Sequence, residues 1–278
     1  MYIAIKLPYY CNRLEGKVKK KFENFLKNYC ENNNISICMI PRQGFDITGL
    51  NNAAECNTLK RLISKCLINS VMEAILNYIG LDMGSVDICI IQGDSNKELH
   101  ALVQLFSHSA KYITLLVKDR AAIEDEINDI YVESGLSVWV TNDYRSALGN
   151  ADIVINLGDL NGYGIRTGIS RKLVILNYGN VDVRVLPAGS MVINGIEIGL
   201  QKEIVSKLSK SIFNCYTESE IAEIILLHRI KAYSNVSSLA FNSESMKELQ
   251  DQFTKDGFFV KELLGLHGPI TKAFTLCR

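Results

Sequence analysis

The sequence predicts an α/β protein in which a doubly wound parallel sheet follows a small N-terminal α/β unit and precedes a helical C-terminal region. Two observations carry this reading. Between residues 85 and 179, short apolar runs alternate with amphipathic segments of helical period. The runs are apolar on both faces, the mark of parallel strands covered on both sides by helices.

The opening unit has a strand over residues 2–7, an amphipathic helix over 15–30 and a second strand over 35–40, after the polar Asn32-Asn33-Asn34 turn. In the helix, Lys17, Lys19, Lys20 and Lys21 form the wet side and Val18, Phe22, Phe25, Leu26 and Tyr29 the dry one. Residues 57–78 read as one long helix, apolar on most faces and therefore buried on most faces, lying between the opening unit and the sheet. Strands follow over 86–91, 112–117, 137–140, 153–155 and 173–176, with helices over 97–110, 121–134 and 144–150 between them. Right-handed crossovers then wind this sheet in both directions, a Rossmann-like arrangement. Past Gly179 the pattern changes to short β-like pieces such as Met191-Val192-Ile193, and helices resume over 202–215, 218–232 and 243–255, the last closed by Gly257. The divisions read as residues 1–84, 85–200 and 201–278, the last packing on the first.

At 278 residues the chain can bury a core without disulfides or metal. Lysine plus arginine equals aspartate plus glutamate, 30 each, so no global field draws nucleic acid or an anionic membrane, and neither is expected as a partner. The eight cysteines form no CxxC pair and no zinc-ligand spacing with the four histidines; Cys38 and Cys89 sit in apolar runs as small hydrophobes. No metal is expected. No stretch reaches the length of a membrane span and residues 1–8 make no secretory h-region, so the expected compartment is cytoplasmic.

In an open parallel sheet, ligands bind beyond the carboxyl ends of the strands, where the strand order reverses. The residues written there are Gly93, Asp94, Ser95 and Asn96 after the first central strand, and Lys118, Asp119 and Arg120 after the second. Asn142 and Asp143 follow the third, Asn156, Gly158 and Asp159 the fourth, and Asn177 and Gly179 the fifth. On the functional reading, Gly93, Ser95 and Asn96 make a phosphate-binding turn at a helix N-terminus. Asp119 would receive ribose hydroxyls, Lys118 or Arg120 an additional phosphate, and Asn156 and Gly158 would stand near the cofactor ring. Against it, a nucleotide turn usually spends three glycines, Gly93 is alone, and Asp94 and Glu98 put negative charge where a pyrophosphate would lie.

The segment from Tyr144 to Asn156, ending Ala151-Asp152-Ile153-Val154-Ile155-Asn156, resembles the stretch before the fourth strand in the shikimate dehydrogenase, glutamyl-tRNA reductase and acyl carrier protein reductase group. That resemblance implies a Rossmann-type NAD(P)-binding fold. In those enzymes an Asn-Thr pair contacts the nicotinamide, whereas here Asn156 precedes Leu157-Gly158; neither their lysine-aspartate pair nor their active cysteine has a matching context. His100, His108 and His228 read as helix residues and His267 as a loop residue, with no nucleophile spaced to pair with any of them. Three readings stay open. One is an oxidoreductase-like protein with NAD or NADP as cofactor and a small-molecule substrate; another is a non-catalytic Rossmann-like binding or assembly protein that has lost the cofactor; the third is an enzyme that uses the same rim for another ligand, such as a methyl donor or a sugar nucleotide. Catalytic residues and homo-oligomerisation are not legible.

Overall fold

The computed structural model describes residues 16–33, 53–123, 127–128, 130–132, 135, 138–163, 169, 171–213, 216–229, 243–271 and 274. The two strands expected in the opening unit, Cys38 and part of the helix expected over 121–134 lie outside them. Helix α1 (Gly16–Asn32) is the amphipathic segment of that unit.

The long helix expected over 57–78 is instead two, α2 (Ala53–Cys66) and α3 (Ile68–Ile79), bent by 77° where they meet. No proline or glycine marks the break. It falls at Leu67, which is fully buried with φ −89° and ψ 20°, so packing rather than propensity sets the bend. Gly80 then ends α3 with φ +70°, its N–H bonded to the Leu76 carbonyl. Among the described residues no single helix is long and apolar enough to cross a membrane.

Strand β1 (Asp87–Ile91) leads into helix α4 (Asn96–Phe106), whose Leu99, Leu102, Val103 and Phe106 recur at helical spacing and are all buried. Then come β2 (Tyr112–Leu116), β3 (Trp139–Thr141) and α5 (Tyr144–Asn150), the last capped by the Asp143 carboxylate accepting the Arg145 N–H. Strands β4 (Ile153–Asn156), β5 (Val174–Asn177) and β6 (Met191–Ile193) complete one sheet. All six strands are parallel, in the order β3-β2-β1-β4-β5-β6. This is the doubly wound Rossmann order, and it reverses between β1 and β4. The short β-like piece at residues 191–193 proves to be a sixth parallel strand.

The two sheet faces bury separate clusters. Ile88, Ile90, Ile113, Leu115, Ile153 and Ile155 pack under α3 and α4. Cys89, Ile91, Leu116, Val154 and Ile175 pack under Ala147 and Leu148 of α5 and under Leu160. Strand residues alternate between the two sets, so the central strands are apolar on both faces along most of their length.

Beyond the sheet, β7 (Gly195–Gly199) precedes two short helices, α6 (Lys202–Lys207) and α7 (Lys210–Phe213), where one helix was expected. Helices α8 (Glu218–Arg229) and α9 (Ser243–Lys255) fall where the apolar period places them. Thr217 and Glu220 begin α8 with a reciprocal capping box: Thr217 N–H donates to Glu220 Oε2 at 2.9 Å and Glu220 N–H to Thr217 Oγ1 at 3.2 Å. The C-terminal region is not wholly helical, however. Strand β8 (Phe259–Gly265) pairs antiparallel with β7, and β9 (Gly268–Pro269) closes a hairpin onto it. Its solvent-facing Lys261 and Glu262 break the apolar signal that a buried strand would show.

Helix α8 also buries a carboxylate. Glu223 accepts the Ser219 hydroxyl at 3.3 Å and faces Lys60 Nζ of α2 at 3.6 Å. Burial pushes its carboxyl from 4.5 up to about 7, against the pull of Lys60. The folded chain therefore holds this proton more tightly than the unfolded one. The resulting stabilisation is complete below pH 4.5 and is lost as pH rises through about 7. Glu223→Gln should flatten that decline and raise stability near pH 8 by on the order of 3 kcal/mol. Denaturant midpoints of both proteins at about pH 5 and about pH 8 test the effect; parallel pH dependences would refute it.

Candidate functional site

The carboxyl ends of the strands form a polar rim, and the loops after β1, β4 and β5 close on one another through their main chains. Leu157 N–H donates to the Ile91 carbonyl at 3.2 Å and Gln92 N–H to the Leu116 carbonyl at 3.0 Å. Asn180 N–H reaches the Gly158 carbonyl at 2.7 Å, and Leu160 N–H the Asn180 carbonyl at 3.0 Å. This packing consumes the space a side chain would need. A methyl group on Gly93 would stand 2.8 Å from the Leu157 carbonyl oxygen; on Gly158, 2.2 Å from that of Gln92; on Gly179, 1.7 Å from that of Gly158. Glycine at these positions is demanded by neighbouring backbone, apart from any ligand.

A ladder of asparagine side chains runs beneath these loops. Asn156 Nδ2 donates to Asn177 Oδ1 at 2.8 Å, and Asn177 Nδ2 to Asn194 Oδ1 at 2.9 Å, so the amides that end β4 and β5 and directly follow β6 are linked in a row. Asn156 also donates to the Asn180 carbonyl at 3.1 Å and accepts the Gly158 N–H at 3.3 Å. It is fully buried, so each bond counts as a satisfied polar group in a place water cannot reach. The ladder has a signal in the sequence, where three apolar runs each end in asparagine, although position alone does not join them.

On the β1–β2 side, Gln92 ties the two proposed nucleotide turns together. Its Nε2 donates to Asn96 Oδ1 at 2.9 Å, and its Oε1 accepts the Lys118 N–H at 3.4 Å. Gln92 was not among the residues singled out from the sequence. Ser95 takes the N-cap position of α4 with extended backbone, φ −117° and ψ 116°, yet its side chain makes no capping bond. Asp119 is exposed and accepts the N–H of Ala121 at 3.0 Å, shaping its own turn. Lys118 is exposed at the β2 tip, and Arg120 lines a cavity of about 180 Å³ with Trp139 and Val140 on the side of β3. Gly93, Asn96, Gln92 and Lys118 thus converge, Asn156 and Gly158 stand next to Gly93 across β1 and β4, and Arg120 diverges from them.

Helix α2 supplies what the sequence left unplaced. Lys65 donates to both carboxylate oxygens of Glu98, at 3.1 and 3.0 Å, and lies 5.9 Å from the centre of the Tyr178 ring. The Tyr178 hydroxyl donates to the Ser64 carbonyl at 2.9 Å, and burial holds its ionisation well above the ordinary phenol range. Arg61, exposed, donates through Nη2 to the Gly179 carbonyl at 2.8 Å. The helix therefore spans from the tip of β5 to the first turn of α4. Cys66 and Cys89 are buried, and burial pushes both thiols up to about 12, which suits core packing and not nucleophilic chemistry.

No family model and no curated protein matches this chain. Solved structures do. A dipicolinate synthase chain from Bacillus halodurans aligns at 10% identity with a TM-score of 0.30, over 83% of this chain and 62% of that one. Glutamyl-tRNA reductase from Methanopyrus kandleri aligns at 9% identity with a TM-score of 0.28, over 88% of this chain and 59% of that one. The chain spans about three fifths of the length of these two proteins.

Proposed function

We propose that the chain is an oxidoreductase-like protein that binds NAD or NADP across the carboxyl tips of β1, β2 and β4. The observation that carries this reading is the N-terminus of α4, which opens at the reversal of strand order with Ser95 at its N-cap making no side-chain capping bond. The residues fit a phosphate there better than the linear sequence suggests, because Lys65 neutralises Glu98 in that first turn. In this reading Gly93, Ser95 and Asn96 hold the phosphates, Asp119 the ribose hydroxyls, Lys118 or Arg120 the extra phosphate of NADP, and Gly158, with Asn156 buried beneath it, stands near the ring. The cofactor, when bound, supplies the hydride chemistry; this chain orients it. Gln92 is the positioning residue that keeps the phosphate and ribose turns in register.

One observation favours a second reading, that of a non-catalytic binding or assembly protein. Gly93 is already packed on the Leu157 main chain, and the exposed Asp94 follows it. Titration of the protein with NADH and with NADPH, followed by nucleotide fluorescence and melting temperature, separates the two. At about a hundred times its dissociation constant a bound nucleotide stabilises by about 2.7 kcal/mol. Asp119→Ala should then weaken NADH, while joint replacement of Lys118 and Arg120 should weaken NADPH selectively. An unshifted melt with both nucleotides at millimolar concentration would favour the second reading.

A further inference from the structure

Arg61 stands over the tip of β5, and among the described residues most of its donors are uncommitted. A guanidinium carries five N–H groups, and one of them goes to the Gly179 carbonyl. That single bond anchors Nη2 and leaves one two-donor edge intact, the geometry that matches a carboxylate. Among the described residues no carboxylate pairs with Arg61, whereas Lys65, one turn on, is paired with Glu98. The helix beneath Arg61 is held in place: Ser64 is buried against Tyr178, and Ile63 is buried beside it. Arg61 acts electrostatically on the Tyr178 hydroxyl, so its charge reaches the tip of β5. It is thus an oriented, exposed cation on a fixed helix, bordering the loops after β4 and β5.

We infer that Arg61 is the anchor for the carboxylate group of a small-molecule ligand bound beside the tips of β4 and β5. The inference rests on the proposed function for its location, since the ring of a bound cofactor would stand near Gly158 and a second ligand must lie against it. The arrangement accounts for α2 crossing the carboxyl edge of the sheet: the helix rests on the β5 tip and presents the cation that selects an anionic ligand.

Calorimetric titration of the full chain with oxalate and, separately, with inorganic phosphate tests this, in wild type, Arg61→Gln and Arg61→Lys, each with and without NADH. Oxalate should bind wild type, Arg61→Gln should weaken it roughly tenfold or more, and Arg61→Lys should recover part of that loss. NADH affinity should be the same in wild type and Arg61→Gln, which also shows that the variant is folded. Equal oxalate affinity in wild type and Arg61→Gln overturns the inference, as does no oxalate binding by wild type with or without NADH. Phosphate binding as tight as oxalate, and equally sensitive to Arg61→Gln, overturns the carboxylate assignment. If oxalate binds through Arg61 but NADH does not bind at all, the cofactor reading fails and the anchor stands.

Discussion

Replacing Arg171 with methionine is expected to destabilise the chain by about 3 kcal/mol, the cost of leaving a buried carboxylate without its counter-charge. That carboxylate is Asp152, 3% exposed, which sits just before β4 at the amino end of the sheet. Its Oδ2 accepts the Asp87 N–H at 3.1 Å, so the side chain clamps the start of β4 to the start of β1. Arg171 bonds directly to Oδ1 of the same carboxylate and to the Asn150 carbonyl at 3.3 Å, and it also precedes β5. One ion pair thereby aligns three neighbouring parallel strands. Adding Asp152→Asn to Arg171→Met removes the uncompensated charge and should return most of the loss. Urea midpoints of the two single variants and the double one decide the matter; additive single losses would show that the pair is not coupled.

Asn156→Ala should cost on the order of 3 kcal/mol, because it leaves the buried Asn177 Oδ1 without its donor and removes the bond to the half-buried Gly158 N–H and one of the two bonds to the Asn180 carbonyl. Asn156→Asp is the more discriminating change. It keeps the shape and the acceptor for Gly158, but it turns a donor toward two oxygens into an ionised acceptor, which should destabilise more than alanine does at neutral pH. Thermal melts of the two variants should rank them aspartate below alanine below wild type, and an aspartate variant as stable as wild type would mean that the amide ladder does not hold the loops together. Because the same side chain sets the Gly158 loop, both variants should also lose whatever nucleotide affinity the wild type has.

Much of the candidate site was legible because loop chemistry follows strand ends. Once the apolar runs were placed, Gly93, Ser95, Asn96, Lys118, Asp119, Asn156 and Gly158 had to fall on one edge, since parallel strands share a direction. Residues that act on this edge from elsewhere in the chain could not be found that way. Arg61 and Lys65 precede β1 by more than a helix, and nothing local separates them from other helix-surface cations. Gln92 reads as an ordinary polar residue until its two ends are seen to meet Asn96 and Lys118. The bend at Leu67 and the strand β8 were missed for a related reason: packing imposes the first, and the second is one-sided, with polar residues on its open face.

From the residues alone followed the alternation of strand and helix, the parallel sheet and the polar character of its carboxyl rim, because short β-branched apolar runs bounded by polar turns and separated by helical periods fit strands buried on two faces. Tertiary structure alone decided that Lys65 cancels Glu98, that Arg61 stands over the β5 tip and that three asparagines join side by side. These are contacts between residues up to 118 positions apart, and pairing at that separation is set by how whole elements pack, a quantity absent from any local window of sequence.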